Sequence, residues 1–497
     1  MKKLYPKLKL LLFSLLLLSG GGLSAQQILT LEKALELAQQ NSPAILTSLL
    51  SLERSQQLLK AQKVALKSQF TLSLTPVDYS KNRSFDDYTS TWYTNENLAS
   101  YGTFTVAQPV LITDGTLSLN NRFGWQKSNS TASGTENETF SNNLYLSFNQ
   151  PLFTYNKLKL QLKNLEYDLE NSNLSYAMQR LNLERQVTQY FYNVFMAQMS
   201  LSIAQDELSN TEKNYEIIKN KVDAGLSARE ELYQAELNYA TSKSDIQNKR
   251  VSLENTKDLF KQYIGMDIFE EISVMGNADA TPVEVDLKQA IDYGLKSRME
   301  IRQREIQVET SQFDLITTKA HNEFKGEMDL SVGIIGDNPK LPDIYSNPTQ
   351  NPRVSVAFNV PLFDWGEKKA RIKAQEAIIQ TQQLNLDEEK KQIVIDIRSV
   401  YRSLQNLTTQ IEIAKQSEKN AQMTYEINEE RYKNGDLTGM DLNQFQTQLS
   451  TQKMNYAQSL IDYKIELLNL KIQTLYDFET RTAIVPQELI DSAKTKK

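Results

Sequence analysis

The sequence predicts a mainly helical protein with a membrane β-barrel, built from one unit of short strands and two long helices that occurs twice. The first observation is an internal repeat, because Phe-Asn-Gln-Pro-Leu-Phe at Phe148–Phe153 returns 210 residues later as Phe-Asn-Val-Pro-Leu-Phe at Phe358–Phe363. A repeat of this length indicates that a whole structural unit was duplicated. The second observation is that residues 152–224 and 367–434 contain neither Pro nor Gly, so each segment could form a helix of roughly 100 Å. The third observation is the alternation of apolar and polar residues between these helices, which is typical of half-buried strands.

The chain begins with a segment typical of a cleavable signal peptide, residues 1–25. Four lysines flank or precede an apolar run from Leu10 to Leu18, and Leu23-Ser24-Ala25 fits the small-residue cleavage pattern. A membrane anchor is the alternative, but the apolar run is shorter than the ~20 residues that a bilayer needs. Removal of the segment would shift the net charge from −6 to about −10, which disfavours nucleic acid as a partner.

The two repeats are predicted to cover residues 26–276 and 277–480, followed by a C-terminal tail at 481–497. In the first repeat we expect a helix at 31–69, strands at about 70–150, a long helix at 152–224 and a returning helix at 227–264. In the second repeat we expect a helix at 287–325, strands at 327–360, a long helix at 366–434 and a returning helix at 439–476. Because the returning helices are short, the helices at 31–69 and 287–325 are predicted to stack on their ends and cover the rest of each long helix.

The strand segments have one apolar and one polar face. Leu144, Leu146 and Phe148 alternate with polar or small neighbours, and residues 353–360 repeat the pattern. Such alternation fits a transmembrane barrel strand as well as a strand of a soluble sandwich. The signal segment and the long helices favour the barrel.

The first repeat contains 46 residues more than the second, and they are rich in Asn, Ser, Thr and Tyr. Within them we expect a hairpin at 103–123 that turns at Asp114-Gly115. The pattern leaves open whether this hairpin enlarges the barrel or decorates an outer loop.

Composition excludes most catalytic chemistry. The chain has no cysteine, His321 is its only histidine, and no glycine-rich phosphate loop is present. These absences rule out His–Cys nucleophile pairs, ordinary zinc sites and a lipid on an N-terminal cysteine, so we expect no enzymatic activity, no cofactor and no lipidation. A hydrophobic content of 40% and a mean hydropathy of −0.49 fit long helices that each bury only a stripe. No apolar run of 18 residues follows the signal segment, so a membrane span would have to use strands.

The order of elements resembles the TolC family of outer-membrane efflux channels. The duplicated Asn-x-Pro-Leu-Phe stretches and the glycine turns that follow the long segments carry the likeness, which covers about residues 29–476. The resemblance implies a homotrimer in which two strand pairs per subunit join into one 12-stranded barrel above a periplasmic α-helical coiled-coil tunnel. Four short strands cannot close a barrel alone and open edges are not tolerated in lipid, so subunits must contribute jointly. Three sets of four strands make twelve, and three sets of six would make eighteen; we expect twelve.

The resemblance also places a gate at the tip of the second helical hairpin. It implies Tyr432 as the gate tyrosine and Asp441 as the first gate aspartate, whereas the second aspartate is replaced by Gln444 and the gate arginine by Leu437. Glu231 matches an aspartate that binds the gate tyrosine, so we expect a Tyr432–Glu231 contact. Three Asp441 carboxylates would form a ring that attracts cations. The alternative is that Asp441 only stabilises the N-terminus of the returning helix.

Two further surfaces are expected. The glycine turns are predicted to dock the helical hairpin of a periplasmic adaptor, since small residues allow close backbone approach; they comprise Ala224, Gly225, Leu226, Asn434, Gly435 and Asp436. Aromatic residues beside the two Pro-Leu-Phe breaks are predicted to form a girdle at the membrane interface, with the prolines ending the strands. These are Pro151, Phe153, Tyr155, Pro361, Phe363 and Trp365.

The function that follows is a passive exit duct of a tripartite efflux system in the outer membrane of a Gram-negative bacterium. Its expected partners are two further copies of the chain, outer-membrane lipid, a periplasmic adaptor and an inner-membrane transporter of the RND or ABC class. An outlet for type I protein secretion is one alternative. A coiled-coil envelope scaffold without a channel is another, although it leaves the alternating strands unexplained.

Overall fold

The computed structural model describes residues 27–131, 134–277, 280–434 and 436–484. The predicted signal segment at 1–25 and most of the predicted tail therefore lie outside the described residues. The chain divides into two compact units, one within residues 1–50, 174–299 and 390–497, and the other within 51–173 and 300–389. Among the described helices, none combines the length and the apolar character that a membrane crossing requires.

The first half contains, in chain order, β1 (Gln27–Leu29), α1 (Leu31–Asn41), α2 (Pro43–Ala65), β2 (Gln69–Asp86), β3 (Thr91–Val110), β4 (Gly115–Ser130), β5 (Thr135–Leu152), α3 (Lys157–Asp223) and α4 (Arg229–Ile264). The second half contains β6 (Ile272–Val274), α5 (Leu287–Ser297), α6 (Met299–Lys319), β7 (Lys325–Asn338), a 3₁₀ turn (Leu341–Asp343), β8 (Thr349–Gln350), β9 (Arg353–Asn359), α7 (Glu367–Lys433) and α8 (Gly439–Thr474). A hairpin of β10 (Tyr476–Asp477) and β11 (Thr482–Ala483) follows.

The helices of the two halves have matching lengths. The long helices α3 and α7 both have 67 residues, and the returning helices α4 and α8 both have 36. In both pairs the bounds differ by the same offset as the Phe-Asn-x-Pro-Leu-Phe motif. The duplication seen in two short motifs thus extends over complete helices.

Two predicted helices are each broken once, which corrects the continuous helices expected at 31–69 and 287–325. Ser42 separates α1 from α2 with φ −59° and ψ 127°, because Pro43 disfavours helical backbone in the residue before it. Arg298 separates α5 from α6 at the equivalent place with φ −64° and ψ 127°, without a proline. The Arg298 guanidinium donates to Gln473 near the end of α8, a tertiary contact that local sequence does not reveal.

The first unit has its core among the long and returning helices. Phe191 of α3 and Phe260 of α4 are fully buried, and their rings meet edge to face with centroids 6.2 Å apart. The ends of α1 and α4 also meet, because a Cβ added to Gly265 would lie 2.2 Å from the carbonyl oxygen of Asn41. Complete burial of each large apolar side chain contributes about 1.5–3 kcal/mol to folding.

The second unit contains one antiparallel sheet with the order β2-β3-β4-β5-β7-β9. Strands β8 and β9 pair with the same edge of β7 and act as one strand interrupted at Asn351-Pro352. The amide of Asn351 donates to the carbonyl of Gly333 at 2.9 Å and bridges the interruption. The chain therefore contributes six strands to the sheet.

This sheet corrects the prediction of four strands per chain. The turn expected near Asp114-Gly115 is present, but β3 pairs with both β2 and β4 well beyond the hairpin expected at 103–123. The outer parts of these strands are rich in Asn, Ser and Thr, so backbone pairing rather than an apolar pattern defines them. Strands β4 and β7 begin at equivalent positions of the two repeats, which makes β2 and β3 the additional pair. The expected twelve-stranded barrel assumed four strands per chain; its closure involves further copies, so the number of strands in the barrel stays a prediction.

An ionic cluster joins α6 to the start of α3 in the second unit. Arg302 donates to Glu170 at 2.7 Å and to Glu309 at 2.9 Å, and Tyr167 donates its hydroxyl to Glu309. The Tyr167 hydroxyl and then Arg302 lower the pKa of Glu309 against the opposing effect of burial. The cluster fixes the helix that leads into β7 against the helix that leaves β5.

Candidate functional site

The first helix tip is a glycine turn between α3 and α4. The amide of Gly225 donates to the carbonyl of Val222 and the amide of Leu226 to that of Lys221, while Gly225 has φ +73°. This is the Schellman arrangement, in which the left-handed residue is glycine because it has no Cβ. Ala224, Gly225 and Leu226 are exposed, and the Leu226 side chain is 79% accessible. An exposed leucine on a glycine turn is a small apolar surface open to a partner.

The second helix tip, between α7 and α8, has the same backbone plan. The amide of Asn434 donates to Glu430, and that of Asp436 to Arg431. Asn434 and Asp436 are exposed, and Gly435 lies outside the described residues. The predicted docking residues of both turns are thus at helix ends, as expected, and their binding of an adaptor stays a prediction.

Asp441 belongs to a helix cap. Thr438 precedes α8, accepts a hydrogen bond from the Asp441 amide at 3.2 Å, and donates its hydroxyl to the Asp441 carboxylate at 2.7 Å. Thr438 is thus the N-cap of α8, and Asp441 at N3 binds the capping hydroxyl rather than the Thr438 amide that a capping box uses. This cap supports the interpretation that Asp441 stabilises the N-terminus of α8. The ring of three carboxylates stays a prediction, because it requires three copies.

Tyr432 makes a different contact from the predicted one. Its hydroxyl donates to the Asn214 side chain at 3.0 Å, across from α7 to α3. Glu231 instead accepts a hydrogen bond from Ser227 at the start of α4. Within the described chain Tyr432 thus pairs with Asn214 and Glu231 with Ser227, and the expected Tyr432–Glu231 contact is not formed. Burial raises the pKa of Tyr432, so its hydroxyl stays a donor at neutral pH.

Asn214 is a tip residue that sequence reasoning missed. It accepts from Tyr432 and also faces Gly439, where an added Cβ would lie 2.3 Å from the Asn214 side-chain oxygen. One amide thus connects the end of α7 and the beginning of α8 to α3. The sequence signal that could have identified Asn214 is its position next to Tyr215, a tyrosine that recurs in the second repeat. The other predicted gate residues, Leu437 and Gln444, lie beside this cluster in sequence, the first half-buried and the second exposed.

The predicted girdle forms two aromatic groups rather than one. Phe153 lies 5.3 Å from Phe324 and 6.5 Å from Phe358, whereas Phe363 and Trp365 contact each other at 4.7 Å, measured between ring centroids. Phe324 had not been predicted because it precedes β7 outside any repeated motif. The girdle residues Pro151 and Tyr155 are half-buried, and Pro361 is exposed.

Pro151 lies at the end of β5, two residues beyond the last β5 residue that pairs with β4, so its missing amide hydrogen breaks no bond to that strand. The membrane-interface role of these residues stays a prediction.

One face of the sheet carries a continuous apolar belt. Residues opposite each other in an antiparallel sheet point to the same side, and one such row runs through Phe70, Val106, Leu119, Leu146 and Val332. A neighbouring row joins Leu117, Phe148, Leu330 and Val354. Members of this apolar belt are exposed in the single chain, as shown by Phe70 at 69% and Val354 at 74%. No described part of the chain covers them, and an exposed apolar patch of this kind marks contact with a membrane or a partner.

The opposite face of the same strands is polar. Its central row joins Thr71, Thr105, Asn120, Tyr145 and Gly333. Thr105 donates to Asn120 at 2.9 Å, and Arg122 of the next row lies 3.9 Å above the Tyr101 ring. Alternation of an exposed apolar face with a polar face is the pattern of a strand between lipid and a wet lumen.

A duplicated pair of long helical hairpins leading from a two-faced sheet defines the chain as a channel-type envelope protein, and comparison with known proteins agrees. The profile of the outer membrane efflux protein family matches residues 116–265 and 327–472, more than half of the chain. The two matched segments start at equivalent strands, β4 and β7. The chain belongs to the outer membrane efflux protein family, which confirms the resemblance to TolC-type channels.

Solved outer-membrane channels share the fold. The CmeC outer membrane channel of Campylobacter jejuni is 14% identical, with a TM-score of 0.70 over 93% of this chain and 88% of that one. VceC of Vibrio cholerae is 14% identical, with a TM-score of 0.63 over 90% and 95%. The MtrE channel of Neisseria gonorrhoeae, solved in an open state, is 15% identical, with a TM-score of 0.64 over 89% and 88%. A search of curated protein sequences finds no match.

Proposed function

We propose that the chain is a passive exit duct of a tripartite efflux system, carrying small toxic solutes from the periplasmic side to the exterior. The observation that carries the proposal is the two-faced sheet joined directly to duplicated helical hairpins. An apolar belt suits lipid, the polar opposite face suits water, and the helices provide a route away from the membrane. Membership of the outer membrane efflux protein family supports the same function.

The duct is a homotrimer in the outer membrane. Strands β2 and β9 are edges of the sheet in the single chain, and unpaired edges are not tolerated in hydrocarbon. Neighbouring copies satisfy both edges, because every copy carries one of each. Outer-membrane fractions should therefore contain heat-modifiable trimers. Recovery of a detergent-indifferent soluble monomer would contradict the proposal and favour the scaffold alternative.

The helix tips dock a periplasmic adaptor that links the duct to an inner-membrane transporter of the RND or ABC class. Both turns are exposed, and Gly225 has no other described atom within 4 Å of an added Cβ. A tryptophan there meets no neighbouring group in the free protein, costs about 1–2 kcal/mol for the left-handed backbone, and obstructs a docked helix. We expect Gly225→Trp to keep normal trimer levels and to raise dye accumulation in cells. Normal efflux by this variant, or by Gly435→Trp, would count against docking at the tips.

The gate is a ring of three Asp441 carboxylates. Three converging charges in a narrow passage favour cations over anions. Asp441→Ala should reduce cation selectivity in planar bilayers, whereas Thr438→Ala removes the helix cap and keeps the charge. Equal cation selectivity of wild type and Asp441→Ala would show that Asp441 contributes only to the helix cap.

Protein secretion remains the rival function, because a duct of this kind serves either cargo. A deletion strain decides between them. Efflux of small solutes predicts increased accumulation across a panel of dyes, with the profile of secreted proteins unchanged. Loss of a secreted protein with unchanged dye accumulation would transfer the proposal to type I secretion.

A further inference from the structure

The sheet has two strands more than the duplication accounts for. Strands β4 and β5 correspond to β7 and β9 at the repeat offset, whereas β2 and β3 have no counterpart in the second half. The family match also begins only at residue 116, after both additional strands. Their role is therefore a property of this chain that the family match leaves unassigned.

The additional strands continue one row of the apolar belt without a gap, while Asn121 of β4 interrupts the next row beside Phe104. Phe70 and Leu72 of β2 lie opposite Val106 and Phe104 of β3, and Val106 in turn lies opposite Leu119 of β4. A hairpin decorating an outer loop would have no reason to place its apolar residues in the same rows as β5 and β7. Phe70 and Leu72 are more than 60% exposed, so nothing within residues 27–131, 134–277, 280–434 and 436–484 covers them. These strands are built to face the same apolar medium as the rest of the sheet.

The polar face continues in the same way. Thr71 and Ser73 of β2 lie opposite Thr105 and Thr103 of β3. Thr105 donates to Asn120 of β4 at 2.9 Å, and Asn120 donates to Ser147 of β5 at 3.4 Å. A chain of small polar side chains thus crosses four neighbouring strands on the side opposite the apolar belt.

The base of the additional pair is fastened to the helices. Gln108 near the end of β3 donates to the carbonyl of Leu66 at 2.8 Å and accepts from Ser68 at 2.7 Å. In the turn after β3, Asp114 accepts from the amide of Leu158 at 2.9 Å, which places its carboxylate at the N-terminus of α3.

Asn156 and Gln150 add further bonds at this turn, donating to the carbonyls of Leu111 and Thr113 at 2.6 Å each. A strand pair held at its base by the N-terminus of α3, by Asn156, by Gln150 of β5 and by the α2–β2 connection belongs to the wall of the sheet.

Each copy contributes an even number of antiparallel strands, which allows identical copies to close a barrel with antiparallel pairing throughout. Because the number is even, β9 of one copy runs antiparallel to β2 of the next when both have the same orientation in the membrane. The inner part of β2, from Gln69 to Thr75, has seven residues, as many as β9, so the two edges can pair over that length while β2 continues to Asp86. Both edges carry the apolar belt, with Phe70 and Leu72 on one and Val354 and Val356 on the other.

We propose that β2 of each copy pairs with β9 of the next, so that three copies close a single barrel of eighteen strands. The inference rests on the homotrimer of the proposed function and adds which edges meet and how many strands result. With strands about 4.8 Å apart and tilted by about 40°, opposite backbones lie about 36 Å apart, against about 24 Å for twelve strands. The barrel thus admits solutes much bulkier than a twelve-stranded wall would, and the helix tips become the part that limits size.

Cysteine labelling tests whether β2 and β3 belong to the wall, and the natural absence of cysteine makes the background clean. Thr103→Cys and Thr105→Cys face the lumen, whereas Phe104→Cys and Val106→Cys face lipid. A charged, membrane-impermeant maleimide should label the first pair at least tenfold faster in outer membranes. Equal rates at all four positions would overturn the assignment, and this result does not depend on the oligomeric state.

Disulfide cross-linking tests the closing edges. Thr71→Cys or Ser73→Cys on β2 is combined with Ser355→Cys or Ala357→Cys on β9, all four on the polar face. At least one combination should give covalent trimers on oxidation, while Thr71→Cys with the exposed tip substitution Asn434→Cys should not. A native trimer that no edge pair cross-links would overturn the eighteen-stranded closure alone. Absence of the trimer would overturn the proposed function as well.

Deletion of residues 69–110 removes β2 and β3 and makes β4 the edge strand. Helix α2 then leads into β4, as α6 leads into β7 in the second repeat. The turn that holds Asp114 is kept. In planar bilayers, neutral polymers added from the barrel side should be excluded at a radius at least about one third smaller than in wild type. An unchanged polymer cut-off in a trimeric deletion variant would contradict the eighteen-stranded wall.

Discussion

The contact between Tyr432 and Asn214 yields the sharpest prediction about opening of the helix tips. The Tyr432 hydroxyl lies 3.0 Å from the Asn214 side-chain oxygen and joins the end of α7 to α3. Any movement that separates these helices at the tip must break this bond. Tyr432→Phe removes the hydroxyl and keeps the ring, so the packing of a half-buried side chain is conserved.

The magnitude follows from the free energy of one hydrogen bond. A hydrogen bond of this kind contributes about 0.5–1.5 kcal/mol net, because water replaces it when it opens. If three copies open together, the closed state loses about 3 kcal/mol. At about 1.4 kcal/mol per tenfold change, the ratio of open to closed channels should rise on the order of 100-fold.

Single-channel recording in planar bilayers measures this ratio directly. Tyr233→Phe makes the same chemical change on a tyrosine that is 65% exposed, and it serves as the matched control. Asn214→Ala should raise opening at least as much as Tyr432→Phe, because it also removes the contact with Gly439. The double variant should add little to Asn214→Ala, because both substitutions remove the same bond.

The response to pH provides a second check. Burial raises the pKa of Tyr432, so the donor is present below this raised pKa and is lost only as the pH rises through it. The effect of Tyr432→Phe should therefore be constant between about pH 6 and 8. Equal opening of wild type and Tyr432→Phe, or fully additive effects of the two single substitutions, would refute the assignment of this bond to the closed state.

Two predictions concern stability. Arg302→Met leaves the carboxylates of Glu170 and Glu309 without their shared partner, and partial exposure limits the loss in free energy of unfolding to about 1–2 kcal/mol. Because the pKa of Glu309 is lowered, its contribution is present above the usual glutamate pKa and is lost as the pH falls through the lowered value, so the deficit should shrink toward pH 3. Gly265→Ala should cost about 1–2 kcal/mol for its left-handed backbone plus the displacement of Asn41, since φ is +74° and the new Cβ meets a carbonyl oxygen.

Thermal unfolding followed by circular dichroism in detergent checks both predictions, each against its own control. Arg304→Met removes one ion pair, with Glu389 at 3.1 Å, and a bond to the neutral Gln307, and it should cost less than Arg302→Met. Gly225→Ala has the same left-handed backbone, at φ +73°, but open space around the new Cβ, so the difference between the two alanine variants isolates the clash. Equal melting temperatures within either pair would show that the named contact adds nothing.

Features that follow a local periodic pattern, such as the long helices, could be predicted from the sequence. Contacts between distant segments could not. The 67-residue helices could be read from residues 152–224 and 367–434 because helices of that length exclude Pro and Gly throughout. The break at Pro43 was available from the proline itself, whereas the equivalent break at Arg298 has no local signal and coincides with a contact to Gln473, 175 residues away. The Tyr432–Asn214 contact spans 218 residues and replaced an expected contact with Glu231 for the same reason.

The amino-acid order alone determined the duplication, the two long helices of each half, the glycine at the first helix tip and the alternation of the inner strand segments, since all of these follow from local periodicity and backbone preference. Only the tertiary structure decided that six strands, not four, share one sheet. The polar outer parts of β2 to β5 carry little apolar pattern, and what defines them is the hydrogen bonding of one backbone to the next. That bonding aligns Phe70 with Val332 across four strand boundaries, which no spacing in a linear sequence specifies.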